Sequence, residues 1–595
     1  MQKEKYNLYI AGSAHFANNF PSVCLDGWLP LKSEKLSQNC PCCAPKHALE
    51  QNKEKIDIGY SKVTSIEKEL FPVISEALNK IHGINHSERY WMILIGHCLR
   101  RNITNIYNNY SSVTSIFDEY DIQAISLLKV EREQVAMDDY SDYVRALGKD
   151  YFYSYIVEQI INTIGHGKLI SNNVDLPVKV NKNFQQSNNN SSWLKKILHT
   201  ISHIFSIIES ERSPVITQTY LGWLNEALLS INFLNFPRFF SNSNYPKNKV
   251  NINLRDKFKN QLISYNQNSK KDLFKTILIS LIPDLFPKAY LEDFHSIVDA
   301  SNALKLPKNP RFILTANRFL QDEVFKVWIS KKTEQGVPYF VLQHGSNYGE
   351  IKYLHPTVEE ITSDKFFTWG WSYEAKHIKG FMFKKIYKKP LINKIIKNKK
   401  TNILFMEKGV YSRAMLENGP LLYKKYLNCK EEFFYGLRGS IRKSLLIRTH
   451  AVTHIDKTYQ EIERWKILDS NIKIDKQNAS LKKSVANSRL VLCFYHGTSF
   501  LEMLAANVPV LCFLDGLNEM NREGKDAYEI LIKAGVCHTS ISSLVDELND
   551  NWDDCISWWS SDEIQNARND FCSKHLRISN NPVLDLKNLI SVNLK

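Results

Sequence analysis

The chain has 595 residues, of which 43% are hydrophobic and 23% are charged, a composition typical of a soluble globular protein too long for one ordinary core. It contains no run of about 18 uncharged apolar residues, and its N-terminal stretch turns polar too quickly for a secretory signal. We therefore expect a cytoplasmic protein without a transmembrane helix, built from two domains and insertions.

The formal net charge of +15 favours an anionic partner. Lysines concentrate in a basic, amphipathic run between residues 384 and 400. No RNA- or DNA-binding module is recognisable, so no nucleic acid partner is predicted. We expect an anionic substrate and a peripheral position at the inner face of the cytoplasmic membrane. A solvated linker of lysines is an equally good interpretation of this run.

Most cysteines stand alone in apolar segments, as small core residues do in a reducing compartment. The exception is NCPCCAPKH, with Cys40, Cys42, Cys43 and His47. This cluster lacks the paired spacing and the second ligand pair of a zinc knuckle. Neither a metal nor another cofactor is predicted.

The first half of the chain is predicted to be a strand followed by helices. Residues 6 to 17 form the strand, and a helical pattern covers about 60 to 170, including SERYWMILIGHCLRRNITNIYNNY at 87 to 110. A polar, Asn-rich break at 180 to 192 precedes more helical sequence, from 193 to 300.

From residue 311 the pattern changes to alternating strands and helices. RFILTAN, a helix ending at Gly336 and PYFVLQHGSNYGE form one β-α-β unit, whose right-handed crossover implies a parallel sheet. KFFTWGW adds a short strand. After the lysine-rich run, the strands TNILFME, KSLLIRTH, RLVLCFY and PVLCFLD alternate with helices as far as Gly535.

These patterns predict an α/β fold of two doubly wound, Rossmann-like domains that face a cleft, with sites at the carboxyl ends of the strands. We place an N-terminal, acceptor-side domain at 1–385, with a helical insertion at about 60–300. A nucleotide-donor-binding domain follows at 400–570, and a C-terminal tail or helix at 571–595.

A polar turn, HGTS, separates the strand RLVLCFY from the helix SFLEMLAAN. In an open parallel sheet, ligands bind beyond the strand ends, where helix N-termini direct free N–H groups outward. We predict that His496, Gly497, Thr498 and Ser499 bind a donor phosphate, with Glu502 nearby. The alternative is that Thr498 or Ser499 is only an N-cap and Glu502 its capping-box partner.

Two further strand ends carry polar residues suited to a nucleotide. KSLLIRTH ends in Arg448 and His450, and such side chains at a strand exit can pair with a phosphate. Asp515 follows the strand PVLCFL and is predicted to contact the ribose or sugar of the donor.

FVLQHGSNYGE repeats this design in the N-terminal half. His344 follows an apolar strand and is suited to take a proton from an acceptor hydroxyl near neutral pH, although a histidine bonded within a tight turn is the alternative. Glu350 is the second candidate base. The acceptor side is expected to include Gln343, Gly345, Tyr348, Asn317 and Arg318.

Together these segments resemble the transferases encoded in bacterial O-antigen and surface-polysaccharide gene regions, a family first defined in leptospires. The resemblance covers most of the chain, in the family's order: AGSAHFANNF with LDGWLPL, SERYWMILIGHCLR, ILTANRFLQDEVFKVW, QHGSNYGE, FFTWGWS, SRLVLCFYHGTSFLEMLAANVPVLCF and NDNWDDCISWWSSDEIQNARNDFC. More distantly, the chain is similar to GT-B transferases with cytidine-activated donors, namely CDP-glycerol glycerophosphotransferases, capsule Kdo transferases and bacterial sialyltransferases.

The resemblance implies a metal-independent glycosyltransferase of O-antigen or capsule biosynthesis. Its donor would be a nucleotide-activated sugar, CMP-linked and of the nonulosonate or Kdo type, and its acceptor a glycan or lipid-linked glycan. A CDP-alcohol-dependent polyol-phosphate transferase and a non-catalytic scaffold of the assembly machinery are the alternatives.

The resemblance also implies residue roles. Arg448 and His450, with Thr498 and Ser499, would hold the cytidine and phosphate of the donor. The base would be His344, which is followed by a glycine as in the relatives. Two departures leave the donor nucleotide open. Alanine follows the histidine of RTHAV where relatives have proline, and the turn reads HGTS where relatives commonly have two adjacent hydroxyl residues after an acidic or aromatic residue.

Overall fold

The computed structural model describes residues 5–10, 22–25, 53–165, 168–172, 210–238, 243–265, 272–353, 355–384, 402–409, 420–450, 461–475 and 480–594. The strands within these ranges form three sheets of four, five and six strands, and every strand pair is parallel. The second and third sheets confirm the predicted α/β class with two parallel-sheet units. The Asn-rich break, the three clustered cysteines and the predicted domain boundary lie outside the described residues.

The first sheet has the strand order β2-β1-β3-β4 and belongs to the N-terminal third of the chain. Its strands are β1 Lys5–Tyr9, β2 Ser22–Cys24, β3 Asp121–Leu128 and β4 Lys168–Asn172. The insertion predicted to be helical at about 60–300 also contains strands, namely β3, β4 and one strand of the second sheet. Neither Gly nor Pro separates β3 from the helix before it, so the pattern gave no boundary signal there.

Helices make up most of the other described residues of the predicted insertion, and several of them share the buried core of the first sheet. The predicted helix at 87–110 is confirmed, and it begins where the Ser87 side chain accepts a hydrogen bond from the N–H of Tyr90. The helices are α1 Lys53–His82, α2 Glu88–Glu119, α3 Arg132–Val135, α4 Tyr140–Ala146, α5 Asp150–Ile164, α6 Trp223–Asn232, α7 Ile252–Tyr265, α8 Leu273–Leu285 and α9 Phe294–Asn302, with a 3₁₀ turn at Lys288–Tyr290.

The second sheet runs in sequential order from β5 to β9. The predicted β-α-β unit is present, with Asp322 capping its helix at the N–H of Phe325. The elements are β5 Val215–Thr217, β6 Ile313–Thr315, β7 Tyr339–Leu342, β8 Lys365–Thr368 and β9 His377–Lys379, with helices α10 Glu323–Glu334 and α11 Val358–Thr362 and a 3₁₀ turn at Arg318–Leu320.

The third sheet has the strand order β12-β11-β10-β13-β14-β15. Successive strands are added on one side of β10 as far as β12 and then on its other side from β13, so the order of winding reverses between β10 and β13. Its strands are β10 Ile403–Met406, β11 Leu445–Arg448, β12 Lys473–Ile474, β13 Leu490–Cys493, β14 Val510–Phe513 and β15 Cys537–His538. In doubly wound sheets, ligands bind outside the carboxyl ends of the strands at such a switch point. The HGTS turn follows β13 and therefore stands at this position.

The helices of the third unit cover both faces of its sheet. They are α12 Pro420–Gly436, α13 Gly439–Arg442, α14 Glu461–Leu468, α15 Leu481–Ala486, α16 Thr498–Ala505, α17 Arg522–Lys533, α18 Ile541–Asn551, α19 Cys555–Trp559, α20 Asp562–His575 and α21 Pro582–Asn593, with a 3₁₀ turn at Leu517–Glu519. None of the helices in the described ranges combines the length and the hydropathy needed to cross a bilayer.

The second and third units share one apolar core. Phe340 of β7, Val491 of β13 and Phe571 of α20 belong to the same buried cluster. The end of the chain then crosses back, because the N–H of Arg577 donates to the carbonyl of Trp369 at 2.7 Å and α21 packs against α6. The two units are therefore held together by packing as well as by their loops.

A buried ion cluster lies beside β10 in the third unit. The Lys430 ammonium is 3.1 Å from Glu407 Oε1 and 2.5 Å from Glu461 Oε2, and Trp465 Nε1 donates to Glu407 at 2.6 Å. Burial raises the pKa of Glu407 to about 7, against the lowering effect of Lys430. The lysine is thus the cation that allows two carboxylates to share one buried space.

We expect Lys430→Ala to lower the free energy of unfolding by about 3–5 kcal/mol, because it leaves buried carboxylates without a cation. Urea denaturation of the full chain, followed by circular dichroism, measures this loss. Lys482→Ala, which changes an exposed lysine of α15, is the control and should cost less than about 0.5 kcal/mol. Equal losses for both variants would contradict the interpretation.

Candidate functional site

The two predicted polar loops meet. The loop after β7 and the HGTS turn after β13 come from different units, and the main-chain N–H of Ser346 donates to Thr498 Oγ1 at 3.0 Å. The Thr498 hydroxyl also lies 3.4 Å from Ser346 Oγ. Gly345 is close enough that a Cβ on it would lie 3.5 Å from Thr498 Oγ1. His344 and Thr498 line one cavity, whereas Arg448, His450 and Ser499, which were predicted to face the same gap, are not among its lining residues.

Further main-chain bonds join the same loop to the segment before α17. The N–H of Asn521 donates to the Glu350 carbonyl at 2.8 Å, and the N–H of Lys352 donates to the Glu519 carbonyl at 3.1 Å. Asn521 Nδ2 donates to the Gly349 carbonyl at 2.9 Å. These three bonds form a seam that fixes the β7 loop against the third unit.

Beside the seam lies an open cavity of about 370 Å³. Three parts of the chain supply most of its lining, namely helix α2, the β7 loop with the start of α11, and the HGTS turn; Tyr140, Leu147 and Leu320 complete it. Among its lining residues are His97, Arg100, Arg101, Thr104, Asn105, Tyr140, His344, Gly345, Ser346, Asn347, Tyr348, Glu359 and Thr498.

His344 stands in this cavity with its ring held on two sides. Its Nδ1 lies 3.2 Å from the Tyr348 hydroxyl oxygen, and the Tyr220 ring stacks over it with centroids 6.0 Å apart. Burial lowers the pKa of His344, and the Glu359 carboxylate partly opposes that effect. The imidazole is therefore neutral at pH 7, the form that accepts a proton.

Glu359 connects two histidines through hydrogen bonds. It accepts from the Tyr348 hydroxyl on one oxygen and lies 2.9 Å from His97 Nε2 on the other. Burial would raise the pKa of Glu359, but the bonds from His97 and Tyr348 and the two imidazoles hold it at about 2. An ionised Glu359 accepts the hydrogen of the Tyr348 hydroxyl, which leaves the hydroxyl oxygen free to accept a hydrogen bond from the N–H at His344 Nδ1.

The wall supplied by α2 was not predicted from the sequence. His97, Arg100, Arg101, Thr104 and Asn105 follow the i, i+3, i+4, i+7, i+8 spacing of a single helix face, and all five line the cavity. Arg100 pairs with Glu67 at 2.9 Å. The sequence pattern that could have indicated this wall is a stripe of polar residues along one face of a helix whose other residues are largely apolar.

The HGTS turn supplies the opposite wall. Gly497 is required there, because a Cβ at this position would lie 1.9 Å from the Tyr495 ring. Neither ring nitrogen of His496 has a hydrogen-bond partner among the described residues. Burial lowers the pKa of His496 to about 4, and the charge of Lys408 acts in the same direction. A neutral imidazole with two unmatched nitrogens thus lies beside the switch point.

Arg448 and His450, at the end of β11, were predicted to act together, but their side chains contact different parts of the third unit. Arg448 Nη1 donates to Asp475 Oδ2 at 2.6 Å and to Ser484 Oγ at 3.3 Å, so this nitrogen forms an ion pair on the β12 side. The assignment of Arg448 to a donor phosphate stays a prediction. His450 instead packs against the loop after β10, where a Cβ on Gly409 would lie 2.7 Å from its Nδ1. Burial lowers the pKa of His450.

Two predicted donor contacts are engaged in ion pairs. Glu502 Oε1 lies 2.9 Å from Lys384 Nζ of the second unit, and Asp515 Oδ1 lies 2.7 Å from Lys425 Nζ. The capping-box alternative for Glu502 is wrong, because Gly497 is the N-cap of α16 and no side chain caps it. The carboxylate of Glu502 joins the units instead.

Three predicted acceptor-side residues have structural partners. Gln343 is buried, and its Oε1 accepts from the Trp369 N–H at 2.9 Å and from Trp371 Nε1 at 3.0 Å. Arg318 is buried against Asp322 at 2.6 Å, so its assignment to the acceptor is corrected. Asn317 Nδ2 donates to the Tyr220 hydroxyl at 2.8 Å. None of the three is among the residues lining the cavity.

Glu350, the second candidate base, lies at the seam rather than in the cavity. Burial raises the pKa of its carboxyl to about 7, and the neighbouring His355 and Tyr528 oppose the rise. Its own backbone carbonyl accepts the bond from Asn521.

Low-identity similarity to solved structures covers about half of the chain. UDP-N-acetylglucosamine 2-epimerase from Rickettsia bellii is 13% identical with a TM-score of 0.32, over 51% of this chain and 79% of that one. Anabaena Alr3699/HepE, in complex with UDP and glucose, is 10% identical with a TM-score of 0.31, over 54% and 88%. WaaG, a glycosyltransferase involved in lipopolysaccharide biosynthesis, is 12% identical with a TM-score of 0.28, over 51% and 95%.

Sequence comparison gives a much broader match. A profile of the LIC12162 family of transferases matches residues 8–590. No curated protein matches the chain.

The raised pKa of Glu350 gives a test of the seam. A carboxyl that titrates near 4.5 when unfolded and near 7 when folded contributes stability below pH 4.5 that is lost as the pH rises through 7. Glutamine does not ionise, so Glu350→Gln should raise the melting temperature relative to the native chain at about pH 8 and less so at about pH 5. Glu523→Gln, an exposed change in α17, is the control. A gain independent of pH would contradict the assignment.

Proposed function

Because the chain belongs to the LIC12162 family of transferases, we propose that it is a glycosyltransferase of surface-polysaccharide biosynthesis. It would move a sugar from a nucleotide-activated donor to a glycan or lipid-linked glycan acceptor. The observation that carries this proposal is that His344 and Thr498, at strand exits of two units, line one cavity. Group transfer needs a base for the attacking hydroxyl and a polar site for the leaving group, held within reach of each other.

The donor phosphate is assigned to the N-terminus of α16. This helix begins at the switch point of the third sheet, where its first N–H groups and the hydroxyls of Thr498 and Ser499 can bind an anion. The unmatched nitrogens of His496 favour a polar ligand at the same place, because buried polar atoms are normally satisfied.

A CMP-linked donor fits the spacing of this edge. One strand, β10, separates β11 from β13, so the exits bearing His450 and His496 lie about 10 Å apart. That distance suits a nucleotide that lies across the sheet edge, with its phosphate at α16 and its base toward His450. A neutral His450 offers hydrogen bonds to an uncharged base. A CDP-alcohol would use the same contacts, and transfer assays distinguish the two donors.

In the proposed reaction, His344 takes the proton of the acceptor hydroxyl while the hydroxyl oxygen bonds to the anomeric carbon of the sugar. The bond between that carbon and the donor phosphate oxygen breaks, and its electron pair stays on the phosphate. Thr498 and the α16 N–H groups stabilise the resulting charge. Tyr348 and Glu359 hold the imidazole and stabilise the imidazolium that forms.

We expect His344→Ala to lower the transfer rate about 10²- to 10⁴-fold and Thr498→Val about 10²- to 10³-fold. A thermal-shift screen of the purified full-length chain first identifies the nucleotide that binds. Transfer and donor hydrolysis are then measured with CMP-sugars, CDP-glycerol, CDP-ribitol and UDP-, GDP- and dTDP-sugars. His295→Ala, an exposed change in α9, is the control. Unchanged surface glycan in cells carrying only His344→Ala would favour the scaffold and refute the proposal.

Glu359→Gln tests the link between the two histidines. Burial lowers the pKa of His344, and removal of the opposing carboxylate charge should lower it further. Because the neutral imidazole is the base, activity rises with pH through this pKa, so the acid limb of the pH–rate profile should move to lower pH. Glu374→Gln, an exposed carboxylate after β8, should leave the limb in place. A shift to higher pH would contradict the assignment.

A further inference from the structure

An apolar surface covers α6 and the turn after it. Six of the 17 large hydrophobic side chains exposed in the described ranges fall within residues 223–236. They are Trp223, Leu224, Leu228, Ile231, Leu234 and Phe236, and we call them the α6 patch. Contiguous patches of this kind usually mark an interaction surface.

The helical members of the patch share one side of α6. At 100° per residue, Trp223, Leu224, Leu228 and Ile231 lie within an arc of about 140°. Leu229, on the other side, is fully buried. Helix α21 packs against α6 and adds the exposed Leu584 and Val592. The fold therefore covers one side of α6 and leaves an apolar side open.

In the turn after α6, an exposed leucine adopts a strained, left-handed backbone conformation. The N–H of Asn235 bonds to the Ser230 carbonyl at 3.0 Å and that of Leu234 to the Ile231 carbonyl at 2.8 Å, which is a Schellman motif. Leu234 occupies its left-handed position, with φ of 56°, where glycine is the usual residue. Its side chain is 97% exposed, so no intramolecular contact accounts for a leucine there.

Basic side chains stand beside the patch. Arg311 donates to the Phe233 carbonyl at 3.0 Å, and Arg238 donates to the Lys305 carbonyl at 2.9 Å. Asn309 and Arg311 bond through their N–H groups to the carbonyls of Glu211 and Arg212. This basic rim contains Arg212, Arg238, Lys305, Lys308 and Arg311. Of the carboxylates nearby, Glu211 pairs with Lys308 at 3.1 Å and Glu226 of α6 accepts from the N–H of Thr219 at 2.8 Å.

We propose that the α6 patch docks on an anionic membrane surface. Its apolar side chains would enter the boundary between headgroups and acyl chains, with Trp223 at the interface, and the basic rim would contact anionic headgroups. The positive charge of the basic rim favours an anionic membrane over a second copy of the chain, because a two-fold interface would bring two basic rims together. The lysine-rich run of the sequence is not needed for this inference.

The patch follows closely in the chain after a residue that contacts the candidate base. Tyr220, which stacks on His344, is three residues before Trp223, and the φ angles of Gln218, Tyr220 and Gly222 are all positive, which fixes the turn between them. Docking would bring the cavity near the lipid surface, where a lipid-linked acceptor would present its glycan. This last consequence rests on the proposed function, whereas the docking itself does not.

Vesicle co-sedimentation of the full-length chain tests the proposal. Phosphatidylcholine vesicles containing phosphatidylglycerol should bind the chain, phosphatidylcholine alone should bind it less, and salt should weaken the binding. Leu228→Ser should lower the partition coefficient about tenfold. Ile467→Ser, which changes a 68% exposed isoleucine of α14, is the matched control and should bind as the native chain does.

Leu234→Gly separates docking from folding. Glycine suits the left-handed position, so the melting temperature should stay the same or rise while vesicle binding falls. Equal binding by the native chain, Leu228→Ser and Leu234→Gly would overturn the proposal. Light scattering offers a second outcome that would overturn the proposal in favour of a second copy of the chain. The native chain and the control would then be dimers, and both patch variants would be monomers. Transfer to a soluble acceptor should be unchanged in both variants, so a failure of docking is distinguishable from a failure of the proposed function.

Discussion

The site depends on contact between two polar loops that follow strands of different sheets. One loop contributes main-chain groups from Ser346 to Lys352, and the other side contributes Thr498 and the segment from Glu519 to Asn521. Most of these bonds use backbone atoms, whose positions are fixed by the strands they follow. The cavity exists because α2 stands opposite this junction, and none of the three parts encloses it alone.

Burial divides the ionisable groups around this junction into two kinds. His344, His450 and His496 are all driven toward the neutral state, because an imidazolium loses its hydration when it is enclosed. Glu359 stays ionised under the same burial, since it receives two hydrogen bonds. A neutral His344 in a cavity that one ionised carboxylate, Glu359, organises is suited to moving a proton without fixing a permanent cation at the acceptor.

Much of the framework was predictable from the sequence, because it rests on short-range patterns. Apolar runs ended by polar residues located β7, β11 and β13, and the loops bearing His344 and Thr498 are adjacent, as strand exits of facing sheets should be. The partners of the polar side chains were not predictable. Arg448 turns to Asp475, Glu502 to Lys384 and Arg318 to Asp322, and two of these three pairs join segments far apart in the chain. The first sheet was also missed, since β3 follows α2 without a Gly or Pro to end the helical pattern.

Helix α2 has 32 residues, so it is about 48 Å long, and it packs in the N-terminal core before its polar stripe reaches the cavity. In a helix, the angular position of each side chain about the axis depends on the number of residues that precede it. The insertion of one residue near Trp91 would rotate every later side chain by about 100° about the axis, so that Leu99 and Arg100 would take the places of Arg100 and Arg101. The length of this segment is therefore under a stricter constraint than the identity of most residues in it, and a natural variant with an altered α2 must change by a whole number of turns.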